Sequence, residues 1–362
     1  MDTGIQRLYL ERCFQLARLG AGSVAPNPMV GAVLVYNNRV IGEGYHQRYG
    51  EAHAEVNCIQ NALQQHAALI GKATLYVSLE PCAHFGKTPP CADLVIRHKI
   101  PKVVVGCRDS FEEVDGRGIG KLRDAGVEVI EHIATQEAMA LNKRFFTFHE
   151  KKRPYIILKW AQTRDRIMAA SSGSPKGGMT AGERLMITHP VTNRLVHRWR
   201  SEEAAIMVGA ATAVMDNPLL DNRNWFGKTP LKIVVAASGK LPDDLKLLHS
   251  GNTAWVFNRR QEKKSKQAEW IRVEHENLMA GMLDILFERK VQSIFVEGGR
   301  QLLQSFIDAG LWDEVRVITN TRMIAGNGLP APVLPEKLLP HTTMLGADEI
   351  TIYKNMHNPF IV

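Results

Sequence analysis

A histidine and two cysteines, His53, Cys82 and Cys91, constrain this chain more than any other feature, because one soft metal ion would need all three side chains at a single point. His53-Ala54-Glu55 opens a stretch of helical spacing over residues 54–66. Pro81-Cys82 and Pro90-Cys91 follow a strand-like run at 75–79 and precede a helical run at 92–98. A catalytic zinc ion takes three nitrogen or sulfur ligands and keeps a fourth position for water, so this donor set has the right number and softness. Cys91 begins a helix, where unpaired amides and the helix dipole favour a thiolate. Glu55 is close enough to reach a bound water without becoming a ligand, which makes it the candidate proton carrier. Taken singly, these residues read as a core histidine and small buried hydrophobic cysteines. Together and in this order they point instead to a hydrolytic metal site with its own proton carrier.

The rest of the chain predicts α/β structure throughout. Helical spacing at 6–19 leads to Ala25-Pro26-Asn27-Pro28, where each proline pushes its predecessor toward extended backbone. An apolar β-branched run at 30–35, Asn37-Asn38 and residues 40–45 predict a hairpin. Strand and helix patterns then alternate to 130, and 134–149 reads as one more helix. The charged, proline-ended stretch from Glu150 to Pro154 marks a boundary, giving domains at 1–149 and 150–362. Beyond it, strand-like runs at 155–158, 205–208, 233–236, 254–257, 293–296 and 315–318 alternate with helical runs such as 279–289 and 301–309.

At 362 residues, with 45% hydrophobic and 23% charged residues, the chain has the composition of a globular protein rather than of a disordered, collagenous or coiled-coil one. Five cysteines are too few and too scattered for a disulfide framework, so reduced thiols in a cytoplasmic setting, or metal ligands, are expected. The start, Met1-Asp2-Thr3-Gly4, lacks the basic and apolar regions of a signal peptide, and the longest uncharged run, 19–38, is broken by Gly, Asn and Pro. The formal charge of +8 is unevenly spread: residues 1–150 carry 16 Lys and Arg against 16 Asp and Glu, and residues 151–362 carry 29 against 21. An anionic ligand in the second half suits that field, while the Arg259, Arg260, Lys263, Lys264, Lys266 cluster reads as a solvated loop. Gly116-Arg-Gly-Ile-Gly-Lys121 lacks the spacing and terminal hydroxyl of a Walker A loop and reads as a turn opening a helix.

Eight residues separate Cys82 from Cys91, against two in most deaminases of tRNA adenosine, cytidine or deoxycytidylate. With Pro26-Asn-Pro-Met-Val-Gly31 and Gly44-Tyr-His46, the stretch Glu80-Pro-Cys-Ala-His-Phe-Gly-Lys-Thr-Pro-Pro-Cys91 closely resembles the deaminase half of the bifunctional riboflavin-biosynthesis deaminase/reductases. The resemblance implies a cytidine-deaminase-like α/β/α domain followed by a dihydrofolate-reductase-like α/β domain. It implies Zn2+ on His53, Cys82 and Cys91, with Glu55 catalytic, and substrate contacts at Asn27, His46, His84, Lys87 and Asp109. The family's Asp-Pro-Asn is Asp109-Ser-Phe111 here.

The second half is similar to the family's reductase in dispersed blocks: Lys159-Trp-Ala-Gln-Thr-Arg-Asp165, Ile187-Thr188, Val208-Gly-Ala-Ala-Thr212, Asp216-Asn-Pro-Leu-Leu-Asp-Asn-Arg223 and Val296-Glu-Gly-Gly299. The likeness implies NADPH along Ala161, Met186, Thr212, Asp216, Ser238 and Gly299. It puts a ribosyl phosphate substrate on Lys159, Arg184, Arg200, Leu220, Arg223 and Glu297. Arg166 replaces a family glycine and Met186 a family tryptophan. The implied activity is hydrolytic deamination of a phosphorylated diaminopyrimidine, then NADPH-dependent reduction of its ribosyl group to ribityl. The expected partner is that small molecule, not nucleic acid or membrane, and a homo-oligomer is compatible with the reading. A nucleic-acid editing deaminase with a basic tail would instead show strong salt-dependent binding to RNA or DNA, and a zinc-stabilised interaction module would close its metal with four protein ligands.

Overall fold

The computed structural model describes residues 3–85, 89–109, 116–170 and 185–360, and its contacts divide the chain into two compact units. Residues 1–152 and 359–362 form one, and residues 153–358 form the other. The division falls within a few residues of the charged stretch, while the return of Phe360 to the first unit has no sequence signal.

In the first unit, α1 (Thr3–Arg18) precedes the hairpin of β1 (Gly31–Tyr36) and β2 (Arg39–Tyr45). Asn37 and Asn38 both have positive φ, 47° and 59°, as the tight two-residue hairpin turn requires. Next come α2 (Ala54–His66), β3 (Thr74–Leu79), α3 (Cys91–Arg97), β4 (Lys102–Cys107), α4 (Arg117–Asp124), β5 (Glu128–Ile130), α5 (Thr135–Leu141) and α6 (Lys143–Lys151). The five strands pair in the order β2-β1-β3-β4-β5, antiparallel through β2-β1-β3 and parallel through β3-β4-β5. Alternation along the strands feeds two cores. Leu34, Leu75, Val77, Val103 and Val105 pack with Cys58 and Ile59 of α2, Val95 of α3 and Leu122 of α4. Val33, Val35, Tyr76 and Val104 pack with Leu10 and Phe14 of α1, Ala138 of α5 and Phe146 of α6. This is an α/β/α sandwich.

The single helix expected over 134–149 is broken at Asn142, which leaves the helical region at φ −108° and ψ 27°. Its side chain accepts a hydrogen bond from the Met29 N–H at 2.8 Å and donates one to the Met29 carbonyl at 2.9 Å. An amide that satisfies both backbone groups of a distant loop outweighs continuity of the helix, and it anchors the proline-rich segment that carries Asn27.

The second unit holds β6 (Tyr155–Thr163), β7 (Ile167–Ala170), α7 (Pro190–Ser201), β8 (Ala205–Gly209), α8 (Ala210–Asp216), β9 (Leu231–Val235), α9 (Lys246–His249), β10 (Ala254–Asn258), β11 (Lys263–Lys264) and β12 (Ala268–Arg272). It continues with α10 (Leu278–Glu288), β13 (Ser293–Gly298), α11 (Arg300–Asp308), β14 (Glu314–Asn320), β15 (Gly328–Pro330), β16 (Pro340–Leu345) and β17 (Asp348–Lys354). Its main sheet runs β11-β12-β10-β9-β8-β13-β6-β14-β17-β16. The stretch from β12 to β14 is parallel, and β11, β17 and β16 are antiparallel at the margins. Apolar clusters cover both faces, one around Trp160, Phe257 and Phe306, the other around Val208, Leu247 and Trp270. Arg166 turns the chain between β6 and β7 at φ 60°, the left-handed region that the family's glycine enters without a Cβ penalty.

No helix among the described residues is long and apolar enough to cross a membrane.

Candidate active sites

In the first unit, α2, the β3–α3 connection and the start of α3 deliver three ligand atoms to one place. The ligand atoms of His53, Cys82 and Cys91 all lie within 4.8 Å of one another, the one such group among the described residues. His53 Nδ1 stands 3.6 Å from Cys82 Sγ and 3.4 Å from Cys91 Sγ. A tetrahedral zinc ion with its usual bond lengths sets nitrogen-to-sulfur edges of about 3.5 Å, so the residues present fit that ion. The Cys91 N–H donates to Cys82 Sγ at 3.3 Å, and the Ala92 N–H to the Cys82 carbonyl at 3.1 Å, so the first turn of α3 also grips the preceding loop.

The two thiols share their environment unequally. Hydrogen bonding from Cys91, with help from His53, brings Cys82 down to about 4, whereas the same bond to Cys82, and then burial, push Cys91 up. His53 is raised chiefly by its bond to Cys82. Glu55 is 3% exposed in the first turn of α2, and burial raises its carboxyl above the ordinary value although His53 opposes this. Its carboxyl also lies in hydrogen-bonding reach of Cys91.

Asn27 and His46 join this cluster. The Ala52 carbonyl can only accept, so the 3.0 Å contact places a proton on His46 Nδ1. Burial lowers the His46 pKa, and in the neutral ring Nε2 accepts from the Asn27 amide at 3.2 Å. The His46 and His53 rings meet edge to face with centroids 5.3 Å apart. His84 is half-buried in the loop between the two cysteines, and Asp109 is buried beyond the end of β4. Lys87 and Phe111 lie outside the described residues.

Sequence reasoning missed Asn142 and Glu80. Glu80 is 4% exposed, and its carboxylate accepts the N–H groups of Asp109, Gly116 and Ile119 at 3.2, 3.0 and 3.1 Å. Burial raises its pKa against the pull of those backbone donors. The available signal was a carboxylate directly after a largely apolar strand, which must find partners when buried.

In the second unit, the named residues gather at the C-terminal ends of adjacent parallel strands, the edge where open α/β sheets bind ligands. Ser238 follows β9, Thr212 follows β8, Glu297 lies near the end of β13 with Gly299 just after it, and Lys159 and Ala161 lie on β6. Arg200 from α7 meets Glu297 in a paired contact, Nε to Oε1 at 2.7 Å and Nη2 to Oε2 at 2.6 Å, and donates through Nη1 to the Asp221 carbonyl at 2.8 Å. Burial pushes the Glu297 carboxyl up, but Arg200 and Lys159 outweigh it and hold it at about 2. His197, one turn before Arg200, is brought to about 4 by burial and then by the Arg200 and Arg223 charges. Arg223 pairs with Asp221, and Leu220 is buried at φ 52°. Thr212 lies against the Gly298-Gly299 turn, where a Cβ on Gly298 would come 2.7 Å from Thr212 Cγ2. Gly299, at φ 79°, caps α11 without a side-chain bond and leaves the amides of its first turn open to an anion. Asp216 is exposed at the end of α8, Met186 is 68% exposed, and Arg184 lies outside the described residues.

Arg200→Ala is expected to cost about 3–5 kcal/mol of stability, because Glu297 would stay buried without its partner. Urea denaturation followed by tryptophan fluorescence reads this, and a loss below about 1 kcal/mol, typical of an exposed pair, would contradict it. A carboxylate whose pKa drops on folding stabilises the fold fully above its ordinary value of 4.5, and the contribution fades as pH falls through about 2.

Comparison with known proteins agrees with both halves. Residues 5–107 match the family described as the cytidine and deoxycytidylate deaminase zinc-binding region, and residues 154–347 match the RibD C-terminal domain. The riboflavin biosynthesis protein RibD of Aquifex aeolicus is 36% identical over 331 residues, covering 90% of this chain and 89% of that protein. RibD of Escherichia coli K12 is 33% identical over 356 residues, 91% and 92% of the two chains. The crystal structure of a diaminohydroxyphosphoribosylaminopyrimidine deaminase/5-amino-6-(5-phosphoribosylamino)uracil reductase from Thermotoga maritima superimposes with a TM-score of 0.86 at 32% identity, over 97% of this chain and 99% of that one. Similarity of this extent spans both units, so the chain belongs to the RibD family, the bifunctional deaminase/reductase enzymes of riboflavin biosynthesis.

Proposed function

We propose that the first unit, with residues 1–149 as its working part, deaminates 2,5-diamino-6-ribosylamino-4(3H)-pyrimidinone 5′-phosphate. The second, within 150–362, then reduces the ribosyl group to ribityl, giving 5-amino-6-ribitylaminouracil 5′-phosphate. The observation that carries the reading is the convergence of His53, Cys82 and Cys91 beside the buried carboxyl of Glu55. Zinc, when bound, supplies Lewis acidity that lowers the pKa of water to about 7. Glu55 takes a proton from the attacking water and returns it to the departing ammonia, a task suited to a carboxyl raised by burial. Asn27 and His46 hold the ring edge, His84 and Lys87 take the phosphate, and Asp109 bonds the pyrimidine. A cytoplasmic setting, where thiols stay reduced, suits the two cysteine ligands.

NADPH, when bound, supplies the hydride for the second step. Ala161, Met186, Thr212, Asp216, Ser238 and Gly299 line it, and the open first turn of α11 takes its phosphates. Lys159, Arg184, Arg200, Leu220, Arg223 and Glu297 hold the ribosyl phosphate, with Glu297 fixing Arg200 in place.

The test is direct. Purified zinc-loaded protein is incubated with the diaminopyrimidine phosphate, with and without NADPH, and the products are identified by mass. Exchange of an amino group for oxygen without NADPH, and a further gain of two hydrogens with it, are expected; no turnover would sink the reading. Asp216→Ala should raise the KM for NADPH or slow reduction while deamination stays at the wild-type rate, since the two sites belong to separate cores. An unaltered reduction rate would remove Asp216 from the cofactor site.

A further inference from the structure

Glu80 leads from the end of β3 through Pro81 into Cys82, and neither reaction gives its side chain a task. Both carboxylate oxygens are engaged. Oε2 accepts the Asp109 N–H at 3.2 Å and the Gly116 N–H at 3.0 Å, and Oε1 accepts the Ile119 N–H at 3.1 Å. Asp109 follows β4, Gly116 caps α4, and Ile119 lies in its first turns. One side chain therefore ties the two described ends of the β4–α4 connection to the residue two positions before a metal ligand. The contact is close: a Cβ on Gly118 would stand 1.8 Å from the Pro81 carbonyl oxygen. Hydrogen bonds from backbone donors to a carboxylate are among the stronger kinds, and the positive end of α4 adds to them.

We propose that Glu80 is a positioning residue of the deamination site, holding Asp109 in register with Cys82 so that the pyrimidine is presented at a fixed place relative to the metal ligands. This rests on the reading of Asp109 as a substrate contact. Glu80→Gln preserves shape but puts an amide donor where an acceptor oxygen stood, leaving at least one backbone N–H without an acceptor.

The test uses full-length, zinc-loaded protein and steady-state deamination of the diaminopyrimidine phosphate by wild type, Glu80→Gln, Asp109→Asn and the double variant. Glu80→Gln should raise KM by about 10-fold to 100-fold, the loss expected for a hydrogen bond to a charged group, with kcat, zinc content and reduction near wild type. The double variant should match Asp109→Asn alone within about 2-fold, because both changes act at one point. Multiplicative losses in the double variant, or a lower melting temperature with KM unchanged, overturn the proposal and leave the Asp109 reading intact. Asp109→Asn with wild-type KM overturns both. Should Glu80→Gln fail to fold, Glu80→Asp, which keeps the charge but shortens the reach, is read on the same scale: raised KM supports the proposal and unchanged KM overturns it.

Discussion

Glu55→Gln should lower deamination by about 10²-fold to 10⁴-fold, the usual worth of a positioned acid or base, while zinc content stays at the wild-type level. The amide has the carboxyl's shape, so packing around the first turn of α2 survives. It can neither take up nor release a proton at working pH. Glu55 is buried, and its pKa is raised by that burial against the attraction of His53. Metal analysis alongside initial rates separates the two roles a glutamate could have here. Near-normal turnover would remove Glu55 from the chemistry, and loss of zinc would make it a ligand.

Cys91→Ser should remove both zinc and deamination. A hydroxyl is a harder donor than a thiolate and ionises far less readily. The Cys91 backbone would still donate to Cys82, so the fold of the β3–α3 connection has a reason to persist. Reduction of separately deaminated substrate should continue, because Lys159, Arg200 and Glu297 belong to the other unit. Zinc content by elemental analysis and the two rates, measured on one preparation, check this. Loss of both activities in a folded protein would count against independent sites.

The convergence of His53, Cys82 and Cys91 was legible because metal chemistry restricts residue type: few side chains bind a soft ion, and these three fall where a helix start and a strand-to-helix loop can meet. The helix over Ala54–His66 was legible for a similar reason, since its apolar spacing and its start coincide. The break at Asn142 was not, because the amide that ends α5 is satisfied by Met29, a residue distant in the chain. Glu80 escaped in the same way, through partners at 109, 116 and 119 that only the folded backbone supplies. In the second unit the strands β6, β8 and β13 read as short apolar runs, but β16 did not, since five of its six residues are exposed. The Arg200–Glu297 pair joins α7 to β13, and charge pairing between distant elements leaves no local pattern to read.

Phe360, 2% exposed and stacked on Phe146 with ring centroids 5.6 Å apart, sets a timetable for biosynthesis. Residues 1–152 leave the ribosome first, yet their core lacks this ring until the second unit has been synthesised. At about 5–20 residues per second that interval is roughly 10–40 s. During it the Phe146 face of α6 lacks its aromatic cover, so the unit that emerges first is the one completed last.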